Sequence, residues 1–469
     1  MKTEKPASVE RTTEIIDRES DVAYVMDCVV EADCCSVVGV SNIGKSTLMR
    51  ALSLPEVHGR HLTAETGDYL FVYIDFNLTS QMSEQGFYEV VLRDMLELLE
   101  DQRTEGELLA TVRQAYEKVI TSDSPFLIPL AFEDALEAVT EQHPGMLVLL
   151  FDEFDEVFAE IDARVFVRLR ALKDRHWPQL CYVTATGHVL PEIRRERQVG
   201  EFCELFAPHT HHLSPLGEAA ARVLVAQWAA DEDVGLSPED IDFVLQCAGG
   251  HPALLMATSR VLAAAKEEAV WRPASGSYTQ VREQLNSDAV VRLECAKLWN
   301  DLTPQERETL ILLLSSHEVT SGLDMLARKG LVRSAGESRP PLQETEGVQV
   351  FSGLFEGFAK RQQLMRHRGP QGIRIDVDSG DVWVDGELAP VLTELEYKLL
   401  LLLYGNLEKI CDKYQIVESV WGESYIDEVD DARIEKLVSR LRHKIEPEPD
   451  EPRYLMTIRG RGYKLVSPD

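Results

Sequence analysis

An α/β fold built on a parallel sheet, followed by a helical segment and then by mixed α+β segments, is the class this chain predicts, and three observations carry it. Through the first two hundred residues, apolar runs of strand length alternate with helical stretches, the pattern of parallel strands covered on both faces. One of those runs, residues 34–40, leads into Gly39-Val40-Ser41-Asn42-Ile43-Gly44-Lys45-Ser46, which fits the spacing G-x-x-x-x-G-K-[ST]. Beyond about residue 216 the apolar period turns helical and alanine-rich, and after residue 372 short alternating strands return.

Taken in order, strands are expected at 34–40, 69–77, 146–151, 180–186 and near 202–213, with helices such as 87–99 and 165–172 between them. The strand at 180–186 belongs beside the strand that feeds the glycine loop. Residues 217–291 read as a helical lid broken at Gly249-Gly250-His251-Pro252. Thr303, Pro304 and Glu306 form a helix start, with an N-cap, a proline at the first position and a capping-box acid. A second helix over 324–332 ending at Gly330, and a hairpin-like stretch at 348–351, complete an expected middle winged helix over 292–365. Residues 366–372 read as a linker. The last segment, 373–469, carries strands at 373–377 and 382–384, helices at 393–404, 412–421 and 430–445, and a closing hairpin over 454–465. The predicted division is therefore a tail (1–14), a core (15–216), the lid, the middle domain, the linker and a C-terminal winged helix.

The glycine loop dictates a chemistry. Backbone N–H groups of Gly39, Ser41, Asn42, Ile43, Gly44 and Thr47 curl around phosphates, Lys45 brings a positive charge to the outer phosphates, and the Ser46 hydroxyl ligates Mg²⁺. A P-loop needs an acidic partner strand, and Met146-Leu147-Val148-Leu149-Leu150-Phe151-Asp152-Glu153 supplies one. Asp152 is expected to hold Mg²⁺ with Ser46, and Glu153 to orient or deprotonate the attacking water, because phosphoryl transfer demands positioning and charge neutralisation. Asp155 and Glu156 read as a solvated helix start. Thr186, or Thr184, at the end of the neighbouring strand is placed as a polar sensor of the terminal phosphate. Arg194, Arg195 and Arg197 are candidates for a finger reaching a neighbouring subunit. The expected cofactors are ATP or ADP with Mg²⁺.

Composition bounds the partners. A formal net charge of −32 argues against a chain that coats nucleic acid or acidic lipid through bulk charge, so any DNA contact must be a local basic patch. Eight scattered cysteines without metal spacing read as reduced and buried in a cytoplasmic protein. His209, His211 and His212 cluster without the Cys or second His group a metal site would need. No apolar run approaches the length of a membrane span, and the polar start is unlike a signal peptide.

Two resemblances cover most of the chain. The N-terminal part resembles the signal-transduction ATPases with numerous domains, the STAND branch of the AAA+ superfamily. Beside the two nucleotide motifs, Ile15-Ile16-Asp17-Arg18-Glu19 is similar to the family's h-h-G-R-E, with Asp17 in place of glycine; Leu213-Ser214-Pro215-Leu216 is similar to its h-x-P-L, and Gly250-His251-Pro252 to its G-x-P. The resemblance implies that Pro252 packs on adenine, that Ile15 and Ile16 lie on the same side, and that the lid closes over nucleotide. The last hundred residues resemble the OmpR/PhoB-type winged helix of bacterial response regulators. Leu392-Thr393-Glu394-Leu395-Glu396-Tyr397-Lys398-Leu399-Leu400, Val420-Trp421-Gly422, Ser439-Arg440-Leu441-Arg442-His443-Lys444-Ile445 and Thr457-Ile458-Arg459-Gly460-Arg461-Gly462-Tyr463 carry that likeness.

Residue periodicity agrees with it. Ile434, Leu437, Val438, Leu441 and Ile445 form one stripe of the third helix. Arg433, Lys436, Arg440 and His443 fall on the opposite stripe, available to a major groove, while Arg442 and Lys444 suit phosphates and Arg459, Arg461 and Lys464 sit on a wing. Acids still outnumber bases in this segment, so one copy is expected to bind duplex DNA weakly and an ATP-dependent homo-oligomer to bind better. The reading is a DNA-binding transcription regulator switched by slow ATP hydrolysis, open to a protein or small-molecule signal. The alternatives are an AAA+-like ATPase of DNA transactions or phage defence docked on DNA by its winged helix, and a terminal domain that binds protein.

Overall fold

In the computed structural model the described residues are 18–466, apart from 63–67, 105, 144, 268–274, 316–321, 335–347, 368–371, 376–381, 391, 422–430 and 450. They divide into two compact units, residues 1–360 and 361–469.

The first unit opens with α1 (Glu19–Val30), β1 (Cys35–Val38), the P-loop, α2 (Lys45–Leu52), α3 (Pro55–His61) and β2 (Tyr69–Asp75). Three long helices follow, α4 (Glu84–Asp101), α5 (Glu107–Thr121) and α6 (Leu127–Gln142), then β3 (Met146–Asp152), α7 (Phe154–Glu160), α8 (Ala163–Arg175) and β4 (Leu180–Thr186). Short helices α9 (Leu190–Ile193) and α10 (Gly200–Glu204) lead to β5 (Thr210–His212). The five strands form one sheet in the order β2-β3-β4-β1-β5, and every pairing is parallel. Strand β4 does lie beside β1, with Val38 opposite Thr186. Because the sheet is covered on both faces, β3 and β4 are buried from Leu147 and Leu180 onward rather than alternating. Rings of Phe76, Phe87, Phe151, Phe154 and Phe166 pack against one another beneath the acidic end of β3.

Several boundaries differ from expectation; the helix expected over 324–332, for example, ends at Arg328 and Val332 already belongs to a strand. The stretch 202–213 is a helix before it is a strand: Phe202 and Phe206 are buried in the aromatic core and only Thr210–His212 pair with β1. An apolar run does not distinguish a buried helix from a buried strand.

The helical continuation is α11 (Glu218–Asp231), α12 (Pro238–Ala248), α13 (Pro252–Glu267), α14 (Ser275–Ser287), α15 (Ala289–Asn300), α16 (Pro304–Leu314), α17 (Leu323–Arg328), the antiparallel pair β6 (Val332–Ser334) and β7 (Val348–Val350), and α18 (Gly353–His367). Thr303 caps α16 through the predicted capping box with Glu306. Leu298, Leu310, Leu326, Leu331 and Phe355 join the same hydrophobic cluster as the sheet core, so the described residues of 289–358 pack into the first unit. Helix α18 runs through Arg366 and His367, where a linker was expected, and the rest of that expected linker up to residue 371 lies outside the described residues.

The second unit contains the three-stranded sheet of β8 (Ile373–Ile375), β9 (Val382–Val384) and β10 (Glu387–Leu388), helix α19 (Glu394–Gly405), β11 (Ile410–Cys411), α20 (Lys413–Trp421), α21 (Asp431–Ile445) and the hairpin β12 (Leu455–Ile458) and β13 (Gly462–Leu465). Its separate core takes Leu399, Leu400 and Leu403 from α19, Ile416 and Val417 from α20, and Ile434, Leu437, Val438, Leu441 and Ile445 from α21. Each such buried aliphatic side chain contributes about 1.5–3 kcal/mol, which fixes the predicted apolar stripe of α21 inward and its basic stripe outward.

Candidate nucleotide site and candidate nucleic-acid interface

All five parallel strands end at the same edge of the sheet, where such folds bind ligands. The P-loop leaves β1 there and enters α2 through Gly44, whose φ of +107° is a left-handed value that glycine adopts without strain. Lys45 Nζ donates to the carbonyls of Gly39 at 2.9 Å and Val40 at 3.3 Å, which keeps its charge within the loop. Ser46 Oγ donates to Glu153 Oε1 across 3.4 Å. The two halves of the predicted site, 107 residues apart in sequence, therefore meet.

At the end of β3, Asp152 is buried; Tyr73 Oη donates to its Oδ2 at 2.7 Å and the N–H of Glu153 donates to its Oδ1 at 3.0 Å. Burial is the chief cause that raises the pKa of Asp152, Glu153 and Asp155 above the ordinary carboxylate range, and for Glu153 the charge of Asp152 adds to it. Glu153 has φ +54°, a left-handed conformation that is costly for a residue with a Cβ and that turns its exposed carboxylate toward the loop. Asp75, which the sequence did not flag, stands opposite Asp152 in the β2–β3 register. The donors are hard oxygens clustered beside a hydroxyl, a set that suits Mg²⁺; Ser46 and Asp152 are the residues that would hold it, and Asp75 adds charge. Asp155, read from sequence as a solvated helix start, instead accepts from the Gly187 N–H at 2.9 and 3.0 Å. It thereby ties α7 to the loop after β4.

Thr186 is buried at the sheet edge, where its hydroxyl donates to the His188 carbonyl at 2.7 Å. Thr184 donates to Ser36 Oγ inside the sheet, away from the loop. Arg194 donates to the carbonyls of Phe158 and Ile161, which gives it an internal structural role. Arg195, with His188, Glu192 and Thr303, lines a cleft of about 770 Å³ that opens beside Asp155.

The P-loop is enclosed by groups from far along the chain. Buried Arg18 donates to Ile43 O at 2.6 Å and Ser214 O at 2.8 Å, so three of the sequence motifs converge on one guanidinium. Leu216 N–H donates to Gly250 O at 2.9 Å, and buried His251 donates from Nε2 to Ser41 O at 2.9 Å while its Nδ1 accepts from Leu254 N–H. Burial pushes the His251 pKa down to about 4. Ser41 and Asn42 also contact Asp301 and Glu294. Arg18 lay within one sequence motif and His251 between the glycine and proline of another, but neither was placed at the P-loop from sequence, and Glu294 and Asp301 gave no signal. Pro252 stands at the first position of α13, half-buried. Gly39, Ile43 and Thr47 lie in the loop and first turn of α2 as expected, whereas Ile15, Ile16 and Asp17 lie outside the described residues.

In the second unit, Arg433, Lys436, Arg440 and His443 are exposed on the outer stripe of α21, and Arg459 and Arg461 are exposed at the tip of the β12–β13 hairpin. Gly462 has φ +128°, and a Cβ there would lie 2.1 Å from Cys411 O, so the hairpin turn requires glycine. Two expected phosphate contacts are redirected. Arg442 donates to Leu455 O at 2.6 and 3.1 Å and to Thr457 Oγ1 at 2.8 Å, and Lys444 pairs at 2.7 Å with Glu396, which closes the capping box of α19. Both lock α21 to its neighbours, because a long side chain at the inner flank finds a carbonyl or buried acid before it reaches solvent. Lys464 pairs with Glu408.

These elements identify the second unit. Residues 388–465 match the family of transcriptional regulatory proteins, C terminal. This regulator-type segment is 43% identical over 93 residues to the uncharacterized transcriptional regulatory protein YcbL of Bacillus subtilis (strain 168), covering 20% of this chain and 40% of that protein. It is 39% identical over 94 residues to the sensory transduction protein RegX3 of Mycolicibacterium smegmatis, covering 20% and 40%. The chain thus spans about two fifths of the length of these curated relatives. Among solved structures, the DNA-binding domain of Klebsiella pneumoniae RstA in complex with the RstA box is 26% identical, with 20% of this chain and 90% of that chain covered and a TM-score of 0.18. The Walker-type ATPase paby2304 of Pyrococcus abyssi is 11% identical, with 73% of this chain and 95% of that chain covered and a TM-score of 0.43. Among the described residues no helix is long and apolar enough to cross a membrane.

Proposed function

We propose that the protein is a cytoplasmic, ATP-dependent regulator of transcription, in which the nucleotide state of the first unit governs duplex-DNA binding by the second. The observation that carries the reading is one chain holding both a P-loop whose Lys45 and Ser46 face the Asp152–Glu153 pair, and a regulator-type winged helix whose α21 turns a basic stripe outward.

At the first site Lys45 neutralises the outer phosphates and Ser46 and Asp152 hold Mg²⁺, which supplies charge neutralisation on the transferring phosphoryl group. Glu153 orients the attacking water. Its raised pKa and exposed carboxylate support a base role, and Thr186 and Pro252 are assigned to the terminal phosphate and the adenine. Turnover is slow, as suits a switch, and ATP promotes a homo-oligomer in response to a protein or small-molecule signal. At the second site Arg433, Lys436, Arg440 and His443 read base edges, and Arg459 and Arg461 contact backbone phosphate. Arg442, Lys444 and Lys464, engaged within the unit, support the frame.

The test of this division is a titration of selected duplex sites at two salt concentrations. Arg440→Ala is expected to weaken specific binding by about 1–3 kcal/mol and relax preference at one position. Arg461→Ala is expected to weaken all sequences alike and to flatten the salt dependence by about one unit of slope. Absence of any duplex binding by the full chain, with ADP or with ATP, would contradict the proposal and favour a protein partner for the second unit.

A further inference from the structure

The P-loop is held by carboxylates of its own chain. Ser41, the third residue of the motif, donates its N–H to Asp301 Oδ2 at 2.5 Å and its hydroxyl to Asp301 Oδ1 at 3.0 Å, so one loop residue grips both oxygens of one acid. The next residue, Asn42, donates from Nδ2 to Glu294 Oε2 at 2.7 Å. Both acids come from a single element, Glu294 within α15 and Asp301 as its C-cap. The arrangement is anchored from behind: Lys329 Nζ donates to Asp301 O at 3.1 Å and to Glu306 Oε2 at 2.8 Å, and Glu306 is buried and closes the capping box of α16. A displacement of Asp301 is therefore connected through Lys329 to α16 and α17.

The end of the cradle occupied by Asp301 follows from Lys45. Its ammonium lies on the carbonyls of Gly39 and Val40, the two residues preceding Ser41. A P-loop lysine serves the outer phosphates, whereas the N–H groups at the start of α2 serve the inner ones. Ser41 and its bound carboxylate thus stand at the outer-phosphate end, where a third phosphate adds negative charge against two acids. A diphosphate leaves that end to Asp301.

We infer that Asp301, assisted by Glu294, discriminates between nucleoside diphosphate and triphosphate: its carboxylate closes the outer end of the loop beside a diphosphate, and a triphosphate binds only by displacing it and freeing α15 from the loop. The inference rests on the nucleotide reading of the P-loop. It makes Asp301 a specificity-determining residue and the Asp301–Lys329–Glu306 connection the route by which the third phosphate is felt in α16 and α17.

The experiment uses the full chain with Mg²⁺ and two fluorescent probes, N-methylanthraniloyl-ADP and the corresponding hydrolysis-resistant thiotriphosphate, in equilibrium titrations. Asp301→Asn keeps the shape and removes the charge; it is expected to tighten the triphosphate by roughly tenfold or more while the diphosphate changes by less than about twofold. Glu294→Gln should move the same ratio in the same direction by less. Hydrogen exchange on the unsubstituted chain, which does not depend on a variant folding, should show faster exchange across 289–314 with the triphosphate than with the diphosphate. An unchanged ratio of affinities in Asp301→Asn, or equal exchange with the two nucleotides, would overturn the inference while leaving the nucleotide site intact. Failure of the unsubstituted chain to bind either probe would overturn the nucleotide reading itself.

Discussion

In the proposed reading Glu153 and Lys45 serve different parts of one reaction, so their substitution should separate binding from turnover. Lys45 holds the positive charge of the loop, so Lys45→Ala is expected to abolish nucleotide binding. Glu153 stands past the buried Asp152 with a left-handed backbone and an exposed carboxylate, so Glu153→Gln should bind ATP-Mg²⁺ with near-unchanged affinity and lose hydrolysis. Equal nucleotide affinity in Lys45→Ala and the unsubstituted protein would contradict the assignment. His251 makes a second prediction at this scale. Its pKa is pushed down to about 4 by burial, against about 6.5 in the unfolded chain. Between those values the unfolded state binds a proton that the folded state refuses, so stability falls as pH drops from about 6.5 toward 4, by up to about 3 kcal/mol. The raised carboxylates Asp152, Glu153 and Asp155 act with the opposite sign, gaining relative stability as pH falls. Comparison with His251→Gln, which can still donate to Ser41 O, isolates the histidine: in denaturant melts the unsubstituted protein should lose stability relative to His251→Gln as pH falls from about 6.5 toward 4, and the two should run parallel above about pH 6.5. Lys45, Ser46, Asp152 and Glu153 were legible in the sequence because the P-loop chemistry is written in contiguous residues. Asp75, His251, Glu294 and Asp301 were not, because each reaches the loop only through strand register or helix packing.

At the level of elements, the recognition-type helix α21 separates side chains that hold it from side chains that face outward. Arg442 makes three hydrogen bonds to Leu455 and Thr457, and a charge-assisted bond of this kind contributes about 1.5–3 kcal/mol. Arg442→Ala should accordingly lower the thermal stability of the second unit and weaken DNA binding as a consequence. Arg440→Ala should weaken DNA binding with no loss of stability, and calorimetry beside the titration distinguishes the two. An Arg442→Ala protein that melts like the unsubstituted one would assign that residue to DNA instead. Element existence was legible wherever the period was clear: β1, β3 and β4, the capped start of α16, and α19 to α21 fall within a residue or two of expectation. It failed at 202–213, where a short apolar run fits either period and tertiary burial decided for helix, and at 366–367, where polar residues continue α18. The intramolecular partners of Arg442 and Lys444 were not legible for the same physical reason: period gives a helix face, but the acceptor opposite it belongs to another element.

On the scale of the whole chain, a P-loop unit and a regulator-type winged helix share one polypeptide whose formal charge is −32. Bulk charge opposes DNA binding, so the local basic face of the second unit must supply the affinity, and assembly of several copies would raise it through effective concentration. If nucleotide governs that assembly, the gain can be no larger than the difference in nucleotide affinity between the two states. The most direct measurement is the affinity of full-length Glu153→Gln for a selected duplex with saturating ATP-Mg²⁺ and with saturating ADP-Mg²⁺, with Lys45→Ala as control. Tighter duplex binding with ATP, by roughly fivefold or more, and no nucleotide effect in Lys45→Ala are expected; equal duplex affinity in ATP and ADP, with both nucleotides bound, would contradict nucleotide control of DNA binding.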